Sequence, residues 1–308
     1  MNNSPITIAA GKEFVINDCK NPIGQYISYV NEIYDESEIN RKKAEEEETK
    51  EQKAPLKNKH FFFRGQADKD WTLQPKVLRD TTYNEKQLVL DFYHYGPLHS
   101  FNYDLDDDRV SLLTDMQHYE VPTRLLDWSL SPLSALYFAV EKGREFFRNA
   151  VVYVLDPWSF NIEVLKSNCR DYSIPKIHDI YVIARALNAT YFNTMGIDFI
   201  KKYIDKCYYY AINDKDIEKP FAFVSNFTNN RMEHQRGVFT IHGTDKDIDL
   251  RREKYFMENA CKIIIRANVR HKIYEQLNRM YINEYSQYPD IKGIKEIVES
   301  RKGFFNIN

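Results

Sequence analysis

The segment Gln117–Val140, with the sequence QHYEVPTRLLDWSLSPLSALYFAV, constrains the fold of this chain more than any other stretch. It places polar residues between apolar ones and then runs directly into an apolar helical pattern. The apolar residues of 125–128 predict a short buried strand. Ser131 and Pro132 predict the start of the helix, because serine caps helices and proline loses no hydrogen bond at the first helical position. A strand that leads into a helix is therefore the predicted centre of the molecule.

The predicted helix over residues 133–140 has no wide polar face, and such a helix is usually buried on several sides. The polar cluster before it is therefore expected at the end of a strand and at the mouth of a core helix. The first free N–H groups of that helix favour anions. Two interpretations stay open: Arg124 and Asp127 either satisfy one another and cap the helix, or they belong to a ligand site.

The length of 308 residues is compatible with one large domain or two smaller ones. Because no internal repeat and no sharp boundary are apparent, we expect one elaborated domain over residues 1–308. The charged run at 41–59 predicts a solvated helix end and a loop, and residues 170–215 predict a helical insertion or cover.

Charge and cysteine content limit the classes of function. The formal net charge is −2 and the isoelectric point is near 6.5, so nucleic-acid binding would require a local basic groove. The four cysteines contain no CxxC pair, which predicts neither a zinc site nor a disulfide framework. No apolar run is long enough to cross a bilayer, and residues 1–30 lack a basic start followed by an apolar core. We therefore expect a cytoplasmic protein with no metal and no membrane partner.

Apolar runs with strand character occur throughout the chain and end in polar residues. In the run at 60–66, Gly65 follows Arg64, which allows a tight turn or the close approach of a ligand. The predicted strands are 6–9, 14–16, 60–66, 125–128, 150–155, 222–225, 238–241 and 261–267.

Four separated strings agree in order with one family, and together they are spread over roughly residues 14–300. They are FRGQ at 63–66, HYEVPTRLLDWSLSPLSALYFA at 118–139, RMEHQRGVFTIHG at 231–243 and YPDIKGI at 288–294. With these strings the chain resembles the FRG-domain family, named for its Phe or Tyr, Arg, Gly motif. That family has mostly been described without a function.

The chain is also similar, more distantly, to ADP-ribosyltransferases of the arginine, serine and glutamate type. The shared order is an aromatic, Arg, Gly motif, then a Ser strand that leads into a helix, then a later strand where those enzymes carry an ExE motif. The matching residues are Arg64, then Ser129 and Ser131 with Ala135, Phe138 and Ala139, then 235–239. This resemblance implies an α+β fold with a split, mostly antiparallel central sheet surrounded by helices. It also implies that NAD is the co-substrate.

The aligned catalytic position departs from the transferase pattern. Gln235 falls on the first acidic position and Gly237 on the second, where the catalytic glutamate is expected. Cleavage of the nicotinamide bond creates an oxocarbenium-like ribose that requires a nearby anion or acceptor. Glu233 would share a face with Gln235 if the segment were extended, and Asp127 or Glu120 are further candidates.

Several candidate site residues each have a functional and a structural interpretation. Arg64 suits bidentate phosphate binding or a structural pair with a carboxylate. His118 is either a general base or a hydrogen-bond partner at a helix end. Tyr119 either stacks on a base or packs in the core. Gln235 either positions a substrate or holds the strand entrance.

The predicted site has two groups of residues. The predicted catalytic group is Glu233, Gln235 and His118. The predicted cofactor-binding group is Phe63, Arg64, Gly65, Gln66, Tyr119, Thr123, Arg124, Asp127, Ser129 and Ser131. Six polar residues of the set are expected to line one cleft, because one shared site needs fewer hydrogen-bond partners than three separate ones. These six are Arg64, Thr123, Arg124, Asp127, Ser129 and Gln235, with Asp127 or a bound phosphate compensating the two arginines.

Two functions from different classes follow. The first is NAD-dependent ADP-ribosyl transfer to a macromolecular acceptor, protein or nucleic acid, by an intracellular toxin or anti-phage effector that an antitoxin or partner protein could neutralise. The second is a recognition module without chemistry that uses the same cleft for a nucleotide, a nucleic acid or a protein.

Overall fold

A computed structural model of the chain describes residues 11–47, 60–104, 108–141, 147–168, 219–225, 230–243, 245 and 247–289. Short 3₁₀ turns also occur at Gly96–His99 and Leu250–Arg252. In these ranges the helices and strands follow one another as β1 (Glu13–Ile16), α1 (Pro22–Glu47), β2 (Phe62–Gln66), α2 (Lys76–Arg79), α3 (Glu85–Tyr95), α4 (Arg109–His118), β3 (Leu125–Ser129), α5 (Pro132–Val140), β4 (Ala150–Leu155), α6 (Pro157–Asn168), β5 (Phe221–Phe223), α7 (Asn230–Gln235), β6 (Gly237–Ile241), α8 (Lys254–Met257), β7 (Ala260–Ile265), α9 (Ala267–Arg279) and α10 (Glu284–Gln287).

The strands form one sheet in the order β1-β7-β4-β2-β3-β6-β5. The pairs are antiparallel except β1 with β7, which is parallel. The predicted α+β class with a mostly antiparallel central sheet is confirmed. Phe63 lies opposite Ser129, and Trp128 lies opposite Val238, so the three strings that contain these residues share the sheet.

Both faces of the sheet are covered by apolar side chains, because successive strand residues point to opposite sides. Phe63 packs on the face that buries α1, α5 and α9. Phe62 packs on the other face, together with apolar residues of α4, α6 and α8. The interior strand β4 is buried along its whole length, as expected for a strand between two helical layers.

The start of α5 is formed as the sequence predicts. The Ser131 side chain accepts a hydrogen bond from the Ser134 backbone N–H at 3.1 Å, and Pro132 is the first helical residue. Most of the helix is buried, which agrees with its lack of a polar face. The segment 117–140 therefore forms the predicted strand and core helix.

Strand β2 packs against the backbone of α5 at Gly65. A Cβ atom at this position would lie 1.8 Å from the Ala135 carbonyl oxygen and 2.7 Å from the Ala139 nitrogen. The glycine therefore allows the helix backbone to approach the strand closely. Gly65 lies within strand β2 and not in a tight turn, so the helix contact explains the need for glycine.

The predicted split of the sheet corresponds to the junction of β2 and β3. Among the described residues, the two strands are paired at one position, Phe63 with Ser129. Beyond this pair the Arg64 guanidinium crosses the junction, and its Nη1 donates to the backbone carbonyl of Asp127 at 2.5 Å. A side chain thus replaces part of the backbone hydrogen bonding between the strands.

Strand β5 forms one edge of the sheet and is bonded there by a side chain. The Asn161 amide donates to the Ala222 carbonyl at 2.8 Å, and its oxygen accepts from the Ala222 N–H at 2.8 Å. Asn161 and Ala222 are fully buried, so this pair satisfies two backbone groups that water cannot reach.

Three predicted segments reach beyond the described part of the chain, and the first of them is the strand at 6–9. The predicted helical cover at 170–215 lies wholly outside it, as do residues 48–59 of the charged run, whereas residues 41–47 continue helix α1. Among the helices that are described, none combines the length and the apolar character needed to cross a membrane.

The close contact at Gly65 predicts that one added methyl group strongly destabilises the fold. We expect Gly65→Ala to lower the free energy of unfolding by about 3 kcal/mol or more, because the added methyl collides with helix backbone. Urea denaturation followed by circular dichroism measures this change.

Gly237→Ala is the matched control for Gly65→Ala. A Cβ atom there would lie 3.6 Å from its nearest neighbour, the Met232 carbonyl oxygen, which is an ordinary contact. Its expected effect is within about 1 kcal/mol. Equal stability of the two variants would contradict the close packing at Gly65.

Candidate functional site

A cavity of about 210 Å³ opens where β2 and β3 diverge, between α4, α5 and α7. Its wall combines polar side chains with aromatic rings, which is the usual composition of a small-molecule site. The polar lining residues are Arg64, Thr114, Gln117, His118, Asp127, Ser129, Arg231 and Gln235. The remaining lining residues are Phe63, Gly65, Trp128, Phe138, Met232, Gly237, Phe239 and Tyr288.

Arg64 is the half-buried cation at the junction of the strands. Burial lowers the pKa of its guanidinium, and the nearby charge of Asp127 acts in the opposite direction. Its Nε is buried and has no hydrogen-bond partner within the described part of the chain. The group stays protonated, since arginine keeps its proton in proteins. It is therefore a desolvated cation with unused donor capacity.

Asp127 is the exposed carboxylate of the cleft, and a relay of side chains holds it. Its Oδ2 accepts a hydrogen bond from Gln117 Nε2 at 2.7 Å. The Gln117 oxygen accepts in turn from the Thr123 hydroxyl at 2.5 Å. Thr123 is buried and does not line the cavity, so it acts on the site only through Gln117.

Arg231 is the second cation of the cleft, and α7 carries it. Its guanidinium carbon lies 4.6 Å from the centre of the Tyr288 ring, within the range of a cation–π contact. Its Nη1 donates to the His118 carbonyl at 3.3 Å. Burial raises the pKa of Tyr288, so this phenol stays neutral. Arg231 thus joins the C-terminal end of α4 to the segment that follows α10.

Ser129 and Gln235 hold the floor of the cleft together. The buried Ser129 hydroxyl donates to the Gln235 carbonyl at 2.6 Å and accepts from the Ser131 N–H at 2.8 Å. The Gln235 side chain donates to the Gln287 carbonyl at 2.9 Å. These contacts favour the interpretation that Gln235 ties the strand entrance together, although its side chain also lines the cavity.

Arg124 does not share the cleft, so this part of the common-site prediction is wrong. Its guanidinium is buried and pairs with the Glu85 carboxylate at the start of α3. Its Nη1 also donates to the carbonyls of His242 at 3.2 Å and Gly243 at 2.9 Å. The expected compensation by Asp127 is therefore supplied by Glu85, and Arg124 fastens the ends of β3 and β6 to α3.

His242 lies in the same buried region as Arg124. Burial, and secondarily the positive charge of Arg124, lowers the pKa of its imidazole to about 3. The ring is therefore neutral at physiological pH and adds no second charge beside the Arg124–Glu85 pair.

Glu233 does not reach the cavity, because the segment before β6 is helical. Residues 230–235 form α7. Side chains two positions apart in a helix point in different directions, whereas the prediction assumed an extended segment, in which they share a face. Met232 occupies the inner side of this helix, and Glu233 is exposed. The expectation that Glu233 and Gln235 share a face is wrong for this reason.

Three further predicted site residues have other positions. Gln66 is buried and donates to the Thr72 carbonyl at 3.2 Å. Tyr119 is exposed at the end of α4, with its ring edge-on to His118. Ser131 caps α5. None of the three lines the cavity, whereas Phe63, Arg64, Gly65, His118, Asp127, Ser129 and Gln235 do.

Several lining residues were not predicted as site residues, among them Arg231 and Tyr288. Arg231 and Tyr288 fall at the beginning of the third and fourth strings of the family resemblance. Their position in those strings was the available signal. Gln117 begins the central segment, but its role depends on Asp127 and could not be inferred from spacing. Within the described ranges, no group of His, Cys, Asp and Glu side chains is arranged to hold a metal ion.

The Arg124–Glu85 pair predicts a stability effect. We expect Glu85→Gln to lower the free energy of unfolding by about 3 kcal/mol, because it leaves a buried guanidinium without its counter-charge. Chemical denaturation measures the loss. The exposed Glu233→Gln is the control and should stay within about 0.5 kcal/mol. A loss that is equally small for Glu85→Gln would contradict the structural role of the pair.

Comparison with known proteins supports one part of the resemblance. The model of the FRG domain matches residues 59–147, which contain FRGQ and most of the central segment. No curated protein and no solved structure matches the chain. The match extends over less of the chain than the span of 14–300 suggested by the four strings, and it leaves out Arg231, Gln235 and Tyr288. Residues 59–147 thus resemble the FRG domain and supply one wall of the cleft, while later segments complete it.

Proposed function

We propose that the cleft binds a nucleotide and that Arg64 and Arg231 contact its phosphates. The observation that carries this proposal is the state of the two cations. Both line one cavity, and within the described residues neither forms an ion pair with a carboxylate. By contrast, Arg124, Arg148 and Arg251 are each paired with an acidic side chain.

A phosphate would complete the contacts of both arginines. Removing a charge from water without a partner is unfavourable, and a bound anion would offset this cost for Arg64. The planar guanidinium matches phosphate oxygens in a bidentate geometry. The positive charges of Arg64 and Arg231 also outnumber the single carboxylate among the lining residues, that of Asp127. The electrostatics of the cleft therefore favour an anionic ligand.

The rest of the wall suits the uncharged parts of a nucleotide. Phe138, Phe239 and Tyr288 provide aromatic surface against which a base can pack. The amides of Gln117 and Gln235 provide polar atoms at the same cavity. At about 210 Å³ the cavity is smaller than most ligand pockets, which span roughly 300–1,000 Å³. It would enclose one half of a dinucleotide such as NAD and leave the other half at its mouth.

The proposal predicts weaker binding when either arginine is removed. We expect Arg231→Ala and Arg64→Ala each to weaken the binding of NAD or ADP-ribose about 10- to 100-fold, because each loses a charge-assisted contact. Isothermal titration calorimetry measures the affinity, and thermal unfolding verifies the fold. Arg279→Ala, an exposed arginine that does not line the cavity, is the matched control and should bind like the unmodified chain.

Two results of that titration would contradict the proposal. One is unchanged affinity in folded Arg64→Ala and Arg231→Ala variants. The other is the same loss in Arg279→Ala, which would indicate nonspecific attraction of the anion to the surface.

ADP-ribosyl transfer is the second candidate function, and the position of Asp127 favours it. Its carboxylate lines the same cavity as Arg64 and His118, while Gly237 occupies the position aligned with the catalytic glutamate. In this reaction the bond between the ribose and nicotinamide of NAD breaks, and neutral nicotinamide leaves with the bonding electrons. The acceptor forms the new bond to the ribose and releases a proton. A carboxylate stabilises the positive ribose that develops between these events.

This second candidate predicts which carboxylate is required. With labelled NAD and total cellular protein, RNA and DNA, we expect Asp127→Asn to reduce transfer at least about 100-fold, the scale of losing one electrostatic contact to the transition state. Glu233→Gln is the control, because Glu233 is an exposed carboxylate outside the cavity. Loss of transfer in Glu233→Gln with full transfer in Asp127→Asn would overturn the role of Asp127.

The biological role that would follow from transfer is that of a toxin or anti-phage effector acting on a macromolecule. Expression of the intact chain and of Asp127→Asn in the same cells compares their effect on growth. If NAD binds but no label enters any acceptor, the cleft is a recognition site without chemistry.

A further inference from the structure

A second cavity, of about 350 Å³, lies on the other half of the sheet, over β1, β7 and β4. It shares no lining residue with the cleft at Arg64 among the residues that the structure describes. Its wall carries four cationic side chains, Lys69, Arg251, Lys262 and Arg266. We propose that this cavity is a separate binding site for a small phosphate ester.

The strand pairing brings the polar part of this wall together. Lys262 of β7 lies opposite Glu13 of β1 on one side and opposite Tyr153 of β4 on the other. Residues paired in this way project from the same face of a sheet. The three side chains therefore form a polar row across three strands.

The four cations of the wall outnumber its two carboxylates, and Asp249, outside the wall, pairs with Arg251. Glu13 and Asp70 are the two acidic lining residues, and they pair with Lys262 at 3.1 Å and with Lys69 at 2.8 Å. These side chains are at least a third exposed, and ion pairs at such exposure contribute little stability. A phosphate can therefore compete with both carboxylates for the two lysines.

Arg266 and Arg251 contribute in different ways to the wall. Arg266 is exposed at the start of α9, and it forms no ion pair with any described residue. Arg251 is held rigidly, because its Nε and Nη2 donate to Asp249, and its Nη1 donates to the Asp70 carbonyl at 2.7 Å. A fixed guanidinium loses little conformational freedom when an anion binds beside it.

The pKa shifts of two lining residues agree with a positively charged cavity. The hydrogen bond from Lys69, together with the charges of Arg148 and Arg251, lowers the pKa of Asp70. Burial raises the pKa of Tyr153 to about 12, so its hydroxyl stays neutral and adds no negative charge.

The floor of the cavity favours an ester over free phosphate. Val15, Ile264 and Met257 line it with apolar surface between the charged groups. Inorganic phosphate would leave this surface unused, whereas the hydrocarbon part of an ester would cover it. Phenyl phosphate is a suitable probe, since it joins one phosphate to one apolar ring.

Calorimetric titration of the full chain with phenyl phosphate tests the site. It is done in the Arg231→Ala background, in which the proposed nucleotide cleft is expected to bind its ligand more weakly. Added Lys262→Gln or Arg266→Gln should each weaken binding about fivefold, the effect of one partly exposed charge contact. Lys254→Gln is the control, because Lys254 is an exposed lysine outside this cavity and should leave the affinity unchanged.

The outcomes separate this site from the cleft. Absence of binding in the Arg231→Ala background, or unchanged affinity in both Lys262→Gln and Arg266→Gln, would overturn the second site without affecting the nucleotide proposal. Equal affinity for inorganic phosphate and phenyl phosphate would overturn the assignment of an ester. Because Arg266 is exposed, its variant is expected to keep the fold, and thermal unfolding verifies this.

Discussion

The close packing of strand β2 on helix α5 determines where the cleft forms. With no side chain at Gly65, the strand lies directly on helix backbone, and both elements are fixed by buried neighbours. Strand β3, which leads into the same helix, then meets β2 at Phe63 and Ser129 and diverges from it. The gap that results contains Arg64. A packing constraint of the core thus creates the opening in which the polar residues act.

Arg64 and Arg124 have different roles because their hydrogen-bond partners differ. Arg124 has a carboxylate and two backbone carbonyls as partners, and these contacts use at least four of its five N–H donors. Arg64 has one carbonyl and a buried Nε without a partner within the described residues. The difference is set by a carboxylate 39 residues away from Arg124 in sequence, not by the local motif of either arginine.

The sequence was sufficient for features that depend on local patterns. Strand β4 and the start of α5 agree with the prediction, because a continuous apolar run and a serine followed by proline act locally. Part of the cleft was predictable too, since Arg64, Asp127 and Ser129 lie on strands with recognisable apolar neighbours. Glu85 as the partner of Arg124 was not predictable, because ion pairing across the fold leaves no spacing pattern. The helix at 230–235 was missed because six residues are too few to show a helical period.

The hydrogen bonds at the edge strand β5 affect how other chains can approach the sheet. An asparagine amide carries the same donor and acceptor as a peptide group, and Asn161 presents both to Ala222. The edge behaves there as if one residue of an eighth strand were already in place. An extended peptide that adds itself to this sheet must first displace Asn161 from its buried position. Helix α6, which carries Asn161, therefore protects β5 from strand exchange as well as covering it.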